Sequence, residues 1–334
     1  TNRSYEGGGS GLLYSSRGYI ILNDKYSASY EIAKSDTNEP ISDAISTTNG
    51  TKNHTYALDG ESFSGYGGRF TFRSNSEKWG WNYEFDTKSP DFRTDLGFTN
   101  ENNWKKHSVS GDYKYRSDGL FKFIKIDAAS VIMKNYQNDV LGQMTRIGSR
   151  IEFDNPFEIE FKAETWNKFQ FEEYTFNDTY EYEVDINYST EDLFIKIRTD
   201  WGDAIARNIE VPELGDRRNI SINTWFNLTD QIFLGANIRE SELKSKITGE
   251  DFFSGYIGSL KGTYQFNKDS FFKIAYEYNN FNEDSYLQAL FQWQPDSATI
   301  FYFGGTINRE DIDGTWEDES SQIYMKFQYL FNFD

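Results

Sequence analysis

Alternation of apolar and polar residues with a period of two is the dominant pattern along this chain. In the stretches 157–164, 180–188 and 272–279, every second residue is apolar and those between are mostly charged or amide-bearing. Successive side chains of a β-strand point to opposite faces, whereas a helix with these sequences would spread its charge around every face. The pattern therefore predicts strands with one apolar face and one charged face.

The alternating runs are long and are separated by turn residues. Several continue for about ten residues, which is the length of a tilted membrane strand and about twice the mean of soluble sheets. All five prolines fall between runs, as expected of a residue that cannot donate to a sheet ladder. The runs predict about 16–18 strands. A literal count is odd, whereas single-chain bacterial barrels are even, so either one run is split wrongly or a strand precedes Thr1.

The predicted connections alternate between short turns and longer polar loops, which is typical of the two rims of a bacterial outer-membrane barrel. The short connections lie near residues 22–24, 75–77, 117–119, 154–156, 190–192, 229–231, 267–270 and 295–298. The longer ones lie near 36–55, 87–102, 207–216, 243–253 and 310–319.

Composition narrows the class of protein. Aromatic residues make up 18% of the chain although its mean hydropathy is −0.73, a combination that fits half-apolar membrane strands. A net charge of −19 argues against a nucleic-acid partner. The absence of cysteine excludes disulfides and thiolate chemistry, and two histidines cannot form a His-rich metal site. No apolar run approaches the roughly 18 residues of a membrane helix, and no signal peptide is visible at Thr1.

These observations predict a transmembrane antiparallel β-barrel of the outer-membrane type, located in the bacterial outer membrane. We expect one domain over residues 1–334, and the pattern leaves open whether N-terminal strands or an N-terminal module are missing. The Gly7–Gly11 stretch matches no phosphate loop and is interpreted as flexible chain or the irregular start of the first strand.

The last segment carries the most specific local signal. One face is entirely apolar or aromatic, and the other is polar except at Leu330. A final strand of this kind resembles the signal read by the barrel-assembly machinery. The alternative is the final strand of a soluble sheet, where aromatic residues also pair well. The residues expected to face lipid are Ile323, Met325, Phe327, Tyr329, Phe331 and Phe333.

Tryptophan and tyrosine cluster toward strand ends, where a barrel would place them at the two membrane interfaces. Ordinary sheet packing is the alternative for each one taken singly. The candidates are Trp79, Trp81, Tyr83, Trp201 and Trp293.

The opposite face is charged and is expected to line a watery lumen, because a charge in lipid would cost about 2–4 kcal/mol near the midplane if basic. Mixed signs favour pairing between strands, and an acidic bias could favour cations. The residues are Glu158, Glu160, Glu164, Glu181, Glu183, Asp185, Lys196, Arg198, Asp200, Lys273 and Glu277.

Catalytic and metal chemistry receive little support, and no cofactor is expected. Paired carboxylates such as Glu158 and Glu160 could serve acid–base hydrolysis, but such pairs recur along many strands. His54 and His107 have no nucleophile motif beside them and are interpreted as surface residues. Asp311 and Asp313 could bind calcium in an acidic loop, although their spacing does not match an EF-hand.

Three segments resemble a large uncharacterised family of outer-membrane barrels, in which the barrel usually follows a module similar to family-nine carbohydrate-binding domains. They are Ser89-Pro90-Asp91-Phe92-Arg93-Thr94-Asp95-Leu96-Gly97-Phe98, Asp154-Asn155-Pro156-Phe157-Glu158-Ile159 and Lys326-Phe327-Gln328-Tyr329-Leu330-Phe331. The resemblance spans the chain from about residue 8 onward and implies the barrel half alone. It implies no activity or catalytic residue.

The leading hypothesis is a non-enzymatic outer-membrane barrel, either a transport channel or a scaffold subunit of an envelope complex, with a possible link to glycan uptake. Expected partners are outer-membrane lipid, the assembly machinery, and possibly other envelope proteins or a glycan. The alternatives are an outer-membrane enzyme acting on lipid or glycan, and a soluble secreted carbohydrate-binding β protein.

Overall fold

The computed structural model describes residues 1–43, 45–46, 53–94, 101–171 and 173–331. Within them the chain forms twenty β-strands and no helix, and no helix long and apolar enough to cross a membrane occurs there. The strands are β1 (Asn2–Ser4), β2 (Ser10–Leu22), β3 (Tyr26–Asn38), β4 (Ile41–Ser42), β5 (Leu58–Asp59), β6 (Ser62–Asn75), β7 (Trp79–Lys88), β8 (Trp104–Arg116), β9 (Phe121–Lys134), β10 (Val140–Phe153), β11 (Phe157–Phe171), β12 (Tyr174–Ser189), β13 (Leu193–Ala206), β14 (Glu213–Thr229), β15 (Ile232–Ser245), β16 (Asp251–Asn267), β17 (Ser270–Asn279), β18 (Asp284–Trp293), β19 (Thr299–Ile312) and β20 (Thr315–Tyr329).

β4 and β5 form a two-stranded sheet of their own, apart from the longer strands. The chain comprises two compact units. The first contains residues 1–116, 124–149 and 163–180, and the second contains residues 117–123, 150–162 and 181–334. The single domain over residues 1–334 stays a prediction.

In the first unit, consecutive strands pair antiparallel. β2 pairs with β3, β3 with β6, β6 with β7, and β7 with β8. The short β1 pairs with the start of β2. Residues 39–61 connect β3 to β6, and we call this connection the excursion. Its two ends are joined by the β4–β5 pair and by the Glu39 amide, which donates to the Glu61 carbonyl at 2.9 Å.

In the second unit, the strands from β13 to β20 also pair antiparallel in chain order. Residues 181–189 of β12 extend this sheet beside β13. Because each strand pairs with its predecessor and its successor, the order follows directly from a series of hairpins.

The described residues contain almost no conventional core. Only Leu58, Phe92, Ala206 and Leu243 are buried apolar residues, whereas large apolar side chains are exposed along most strands. In β17 the exposed apolar residues are Phe272, Ile274 and Tyr276, which alternate with Lys273 and Ala275. The period-two pattern thus produces an apolar face that other described residues leave open.

The turns agree with the sequence in most places. Asn23 and Asp24 both have positive φ, as a two-residue hairpin turn of type I′ requires. Every proline lies between strands. One predicted loop is wrong: residues 310–319 are not a long connection, because β19 and β20 are joined by Asp313 and Gly314 alone, again with positive φ. A row of acidic residues suggested a solvated loop, but here these residues lie in paired strands, where Asp318 pairs with Arg309.

Candidate functional site

The chain after β7 lies against the charged faces of β3 and β6. The Ser89 amide donates to the Tyr66 carbonyl at 2.8 Å, and the Tyr66 amide donates to Ser89 Oγ at 2.9 Å. Further on, the Arg93 amide donates to Oγ of Ser35, which is 1% exposed. Residues 89–94, which we call the inner segment, are therefore tied to two strands of the sheet.

Glycines in β6 make room for the inner segment. A Cβ atom on Gly65 would lie 2.2 Å from the Phe92 nitrogen, so no side chain fits there. At Gly67 a Cβ would lie 3.2 Å from the Phe92 ring. Phe92 is 6% exposed and fills the space above Gly65 and Gly67, where larger side chains would otherwise lie. This close approach of backbone to backbone is a structural use of glycine.

A cavity of about 430 Å³ opens beside Phe92 on this face. Its wall combines two aromatic residues with charges of both signs. The lining residues are Glu31, Ala33, Gly67, Gly68, Arg69, Asp86, Thr87, Lys88, Phe92, Trp104 and Lys106. Its volume lies within the range of small-molecule sites, which are about 300–1,000 Å³.

Charges around the cavity are partly paired. Arg69 Nη2 donates to Asp86 Oδ2 at 2.8 Å, and Lys106 Nζ lies 3.6 Å from Glu84 Oε1. The Lys88 ammonium lies 5.6 Å from the centre of the Trp104 ring, within the range of a cation–π contact. A polar solute would thus meet aromatic faces, ammonium groups and carboxylates together.

The surroundings of His54 contradict the prediction that it is a surface residue. Its side chain is 16% exposed, with Nδ1 2.7 Å from Glu61 Oε2 and Nε2 3.1 Å from Asp91 Oδ1. Its ring stacks on Phe63 with 3.6 Å between centroids. The histidine thereby links the excursion between β3 and β6 to the inner segment. Its contacts are 7 and 37 residues away in sequence, so no local pattern revealed them.

Arg93 and Glu39 form a buried ion pair next to this histidine. Their side chains are 3% and 0% exposed, and Arg93 Nη2 lies 2.5 Å from Glu39 Oε1. Burial raises the pKa of Glu39, whereas Arg93 acts in the opposite direction. The guanidinium also lies over the Phe63 ring at 4.8 Å. His107, in contrast, is exposed as predicted, with Nδ1 2.9 Å from the Tyr83 hydroxyl.

In the second unit, several predicted polar-face residues form ion pairs. Arg150 Nη2 donates to Glu158 Oε2 at 2.6 Å and its Nη1 lies 3.8 Å from Glu160 Oε1. Arg198 makes two 2.6 Å hydrogen bonds to Asp185, and Lys196 lies 2.9 Å from it. These contacts agree with the predicted pairing of strands across the polar face.

Three other residues of the predicted polar face each have their own partner. Glu181 lies 2.9 Å from Arg217, and Glu183 lies 3.8 Å from Arg198. In the first unit, Glu164 accepts a 2.8 Å hydrogen bond from Trp166.

Lys273 and Glu277 lie on β17, where Glu277 stands opposite Ser259 of β16. Whether these polar residues face a lumen stays a prediction.

In the part of the chain that the structure describes, the two candidate calcium ligands belong to no group of three acids close enough to share an ion. Asp311 lies in β19, and Asp313 lies in the tight turn that follows. Among the described residues, the group of three carboxylates that does meet is Glu39, Asp59 and Glu61. The metal prediction for Asp311 and Asp313 gains no further support.

The residues expected to face lipid are strongly exposed. Fractional exposures are 63% for Phe327, 50% for Tyr329 and 68% for Phe331. Phe333 lies outside the described residues, as do residues 95–98 of the first segment of the family resemblance.

No family model matches this chain, and no curated protein matches it. The chain does match solved structures. The chain is similar to the siderophore receptor PirA from Acinetobacter baumannii, with 9% identity and a TM-score of 0.50, covering 97% of this chain and 65% of that one. It is also similar to a mutant ferric enterobactin receptor from Pseudomonas aeruginosa in complex with enterobactin, with 10% identity and a TM-score of 0.52, covering 95% of this chain and 62% of that one.

At such low identity the similarity concerns the fold alone. Together with the antiparallel strands and their apolar faces, it shows that the fold is an all-β, outer-membrane type of β-barrel. The chain spans less than two thirds of the length of these receptors.

Proposed function

We propose that this protein resides in the bacterial outer membrane and acts there as a non-enzymatic channel for small polar solutes. In this proposal the exposed apolar face meets lipid and the charged face lines a watery lumen. The barrel-assembly machinery inserts it, as the aromatic final strand suggests. We also propose that the chain is a member of the uncharacterised barrel family that it resembles.

The observation that carries the proposal is the inner segment beside a polar cavity. Segments that fold onto the charged face of a barrel narrow the passage and supply selective contacts. Phe92 and Trp104 offer flat apolar surfaces, while Arg69 and Lys88 offer hydrogen-bond donors. Such a wall suits hydroxyl-rich solutes, including small glycans.

A non-enzymatic role is supported by the environment of the histidines. Both ring nitrogens of His54 contact carboxylates, which hold the ring in place. His107 contacts the Tyr83 hydroxyl through Nδ1 and packs against the Phe85 ring. Neither arrangement resembles a nucleophile with its general base.

Membrane insertion is tested first by comparing unheated and heated samples on an SDS gel. A folded barrel is compact and should migrate faster before heating, whereas a soluble two-layer protein should show no shift. Identical migration, with folded monomers in detergent-free buffer, would overturn the membrane assignment.

Transport is tested by planar-bilayer conductance and by swelling of liposomes in sugars of increasing size. We expect stepwise current and entry of mono- and disaccharides, with a larger size limit for Phe92→Ala. Absence of both current and swelling in correctly folded protein would overturn the channel proposal. That result would favour a scaffold role, which purification of native complexes would then examine.

A further inference from the structure

Three carboxylates converge where the excursion between β3 and β6 closes. One carboxylate oxygen from each of Glu39, Asp59 and Glu61 lies within 4.8 Å of the other two. Calcium–oxygen distances are about 2.3–2.6 Å, so one ion can bridge two oxygens that lie up to about 5 Å apart. Backbone pairing of Ile41 with Asp59 holds this arrangement.

One of these carboxylates lacks a partner for part of its charge. The Glu39 side chain is 0% exposed, and its Oε2 atom is buried without a hydrogen bond of normal geometry. Arg93 Nη2 lies 2.5 Å from the other oxygen, Oε1. A buried anionic oxygen without such a bond is costly. Asp59 and Glu61 bring two further carboxylates to within 4.8 Å of the Glu39 carboxylate.

The neighbouring groups leave this excess negative charge in place. Arg93 supplies one positive charge for three carboxylates. His54 Nδ1 contacts Oε2 of Glu61, which leaves Oε1 of Glu61 for another ligand. The other nitrogen of His54 is occupied by Asp91, whose own charge adds to the acidic surroundings.

We propose that Glu39, Asp59 and Glu61 bind a divalent cation of the calcium type. An all-oxygen donor set suits a hard cation and disfavours zinc or copper, which prefer nitrogen and sulfur ligands. Three carboxylates, two of them partly exposed, indicate an affinity in the range of extracellular calcium modules, about 10⁻⁴–10⁻³ M. Through Glu39, Arg93 and His54, the ion fastens the excursion to the inner segment.

The experiment uses the full chain, folded in a non-ionic detergent without added lipid and freed of metal with EGTA. Isothermal titration with CaCl₂ should give one site per chain, and calcium should raise the temperature at which the compact band on SDS gels is lost. The double variant Asp59→Asn/Glu61→Gln should lose at least tenfold in affinity and lose the thermal response. The matched control is Glu77→Gln, an exposed turn residue, which should bind as the parent does.

Two results would overturn the proposal. One is the absence of calcium binding and of a thermal response in the folded parent protein. The other is equal calcium affinity in the double variant and the parent. Because Asp59 and Glu61 are not fully buried, their amide variants are expected to fold, and the compact band reports folding independently.

Discussion

Asp185 of β12 stands directly opposite Arg198 of β13, and two hydrogen bonds of 2.6 Å join the carboxylate to the guanidinium. Asp185 is 1% exposed, while the Arg198 side chain is 44% exposed. A bidentate pair of this kind fixes the register of two strands as well as neutralising a charge. It is the most completely buried acid of the polar face in the second unit.

Replacing Asp185 with asparagine should therefore destabilise the protein. The amide keeps the shape but loses the charge that Arg198 and Lys196 contact. We expect a loss of about 1.5–3 kcal/mol, the usual contribution of hydrogen bonds to charged groups. The temperature at which the compact band disappears on SDS gels measures it. Glu277→Gln, on an exposed stretch of β17, is the control, and equal effects would contradict the special role of the pair.

Gly65→Val should displace the inner segment, because even a Cβ atom would lie 2.2 Å from the Phe92 nitrogen. We expect faster proteolysis within residues 89–94 and a higher single-channel conductance. Gly258→Val is the matched control, since a Cβ there meets nothing within 4 Å. If both variants behaved alike, the contact between Gly65 and Phe92 would not hold the segment.

Leu260→Arg and Ser259→Arg place the same charge on opposite faces of β16. Leu260 is 59% exposed on the apolar face, whereas Ser259 stands opposite Glu277. In lipid the first variant should lose about 2–4 kcal/mol if the residue lies near the midplane, and the second should be tolerated. Folding yield into phospholipid vesicles distinguishes them. Similar yields would contradict the assignment of the apolar face to lipid.

Lys246 gives a prediction for alkaline pH. Its hydrogen bond to Asp203 raises the pKa of Lys246 above its ordinary value of 10.5, with Asp216 adding to the effect. Because the folded-state pKa is raised, the stabilisation is fully present below 10.5 and is lost as pH rises through the folded value.

Lys246→Arg should reduce that alkaline loss, because arginine stays charged to pH values above about 12. Unfolding temperatures between pH 9 and 12 provide the measurement. Lys268→Arg, at an exposed turn residue, controls for general effects of arginine, including the titration of tyrosines. Parallel curves for all three proteins would exclude a contribution from Lys246.

The sequence allowed prediction of what depends on neighbouring residues. Alternation in β11, β12 and β17 identified these strands and their faces, and tight turns such as Asn23-Asp24 were located from residue type. The loop prediction failed at residues 310–319. Many acidic residues there suggested a loop, although strand pairing continues to Ile312.

The candidate site depends on distant residues and was largely missed. Arg93 reaches Ser35 across 58 positions, and His54 reaches Asp91 across 37. No periodicity encodes such contacts. Residues 89–94 carry part of the family resemblance, but the sequence did not predict that they lie against β6. Two glycines two residues apart in β6 were the available signal, since they leave a gap on one face of a strand.

The pairing of acids with arginines and lysines along the polar face has an electrical consequence. Many carboxylates of the second unit already have a cation within 4 Å, so a permeant ion would encounter local dipoles more than a uniform negative field. Despite the chain's charge of −19, we expect only weak preference for cations over anions. Reversal potentials in a salt gradient would reveal it, and they would change most when a single partner of a pair is removed.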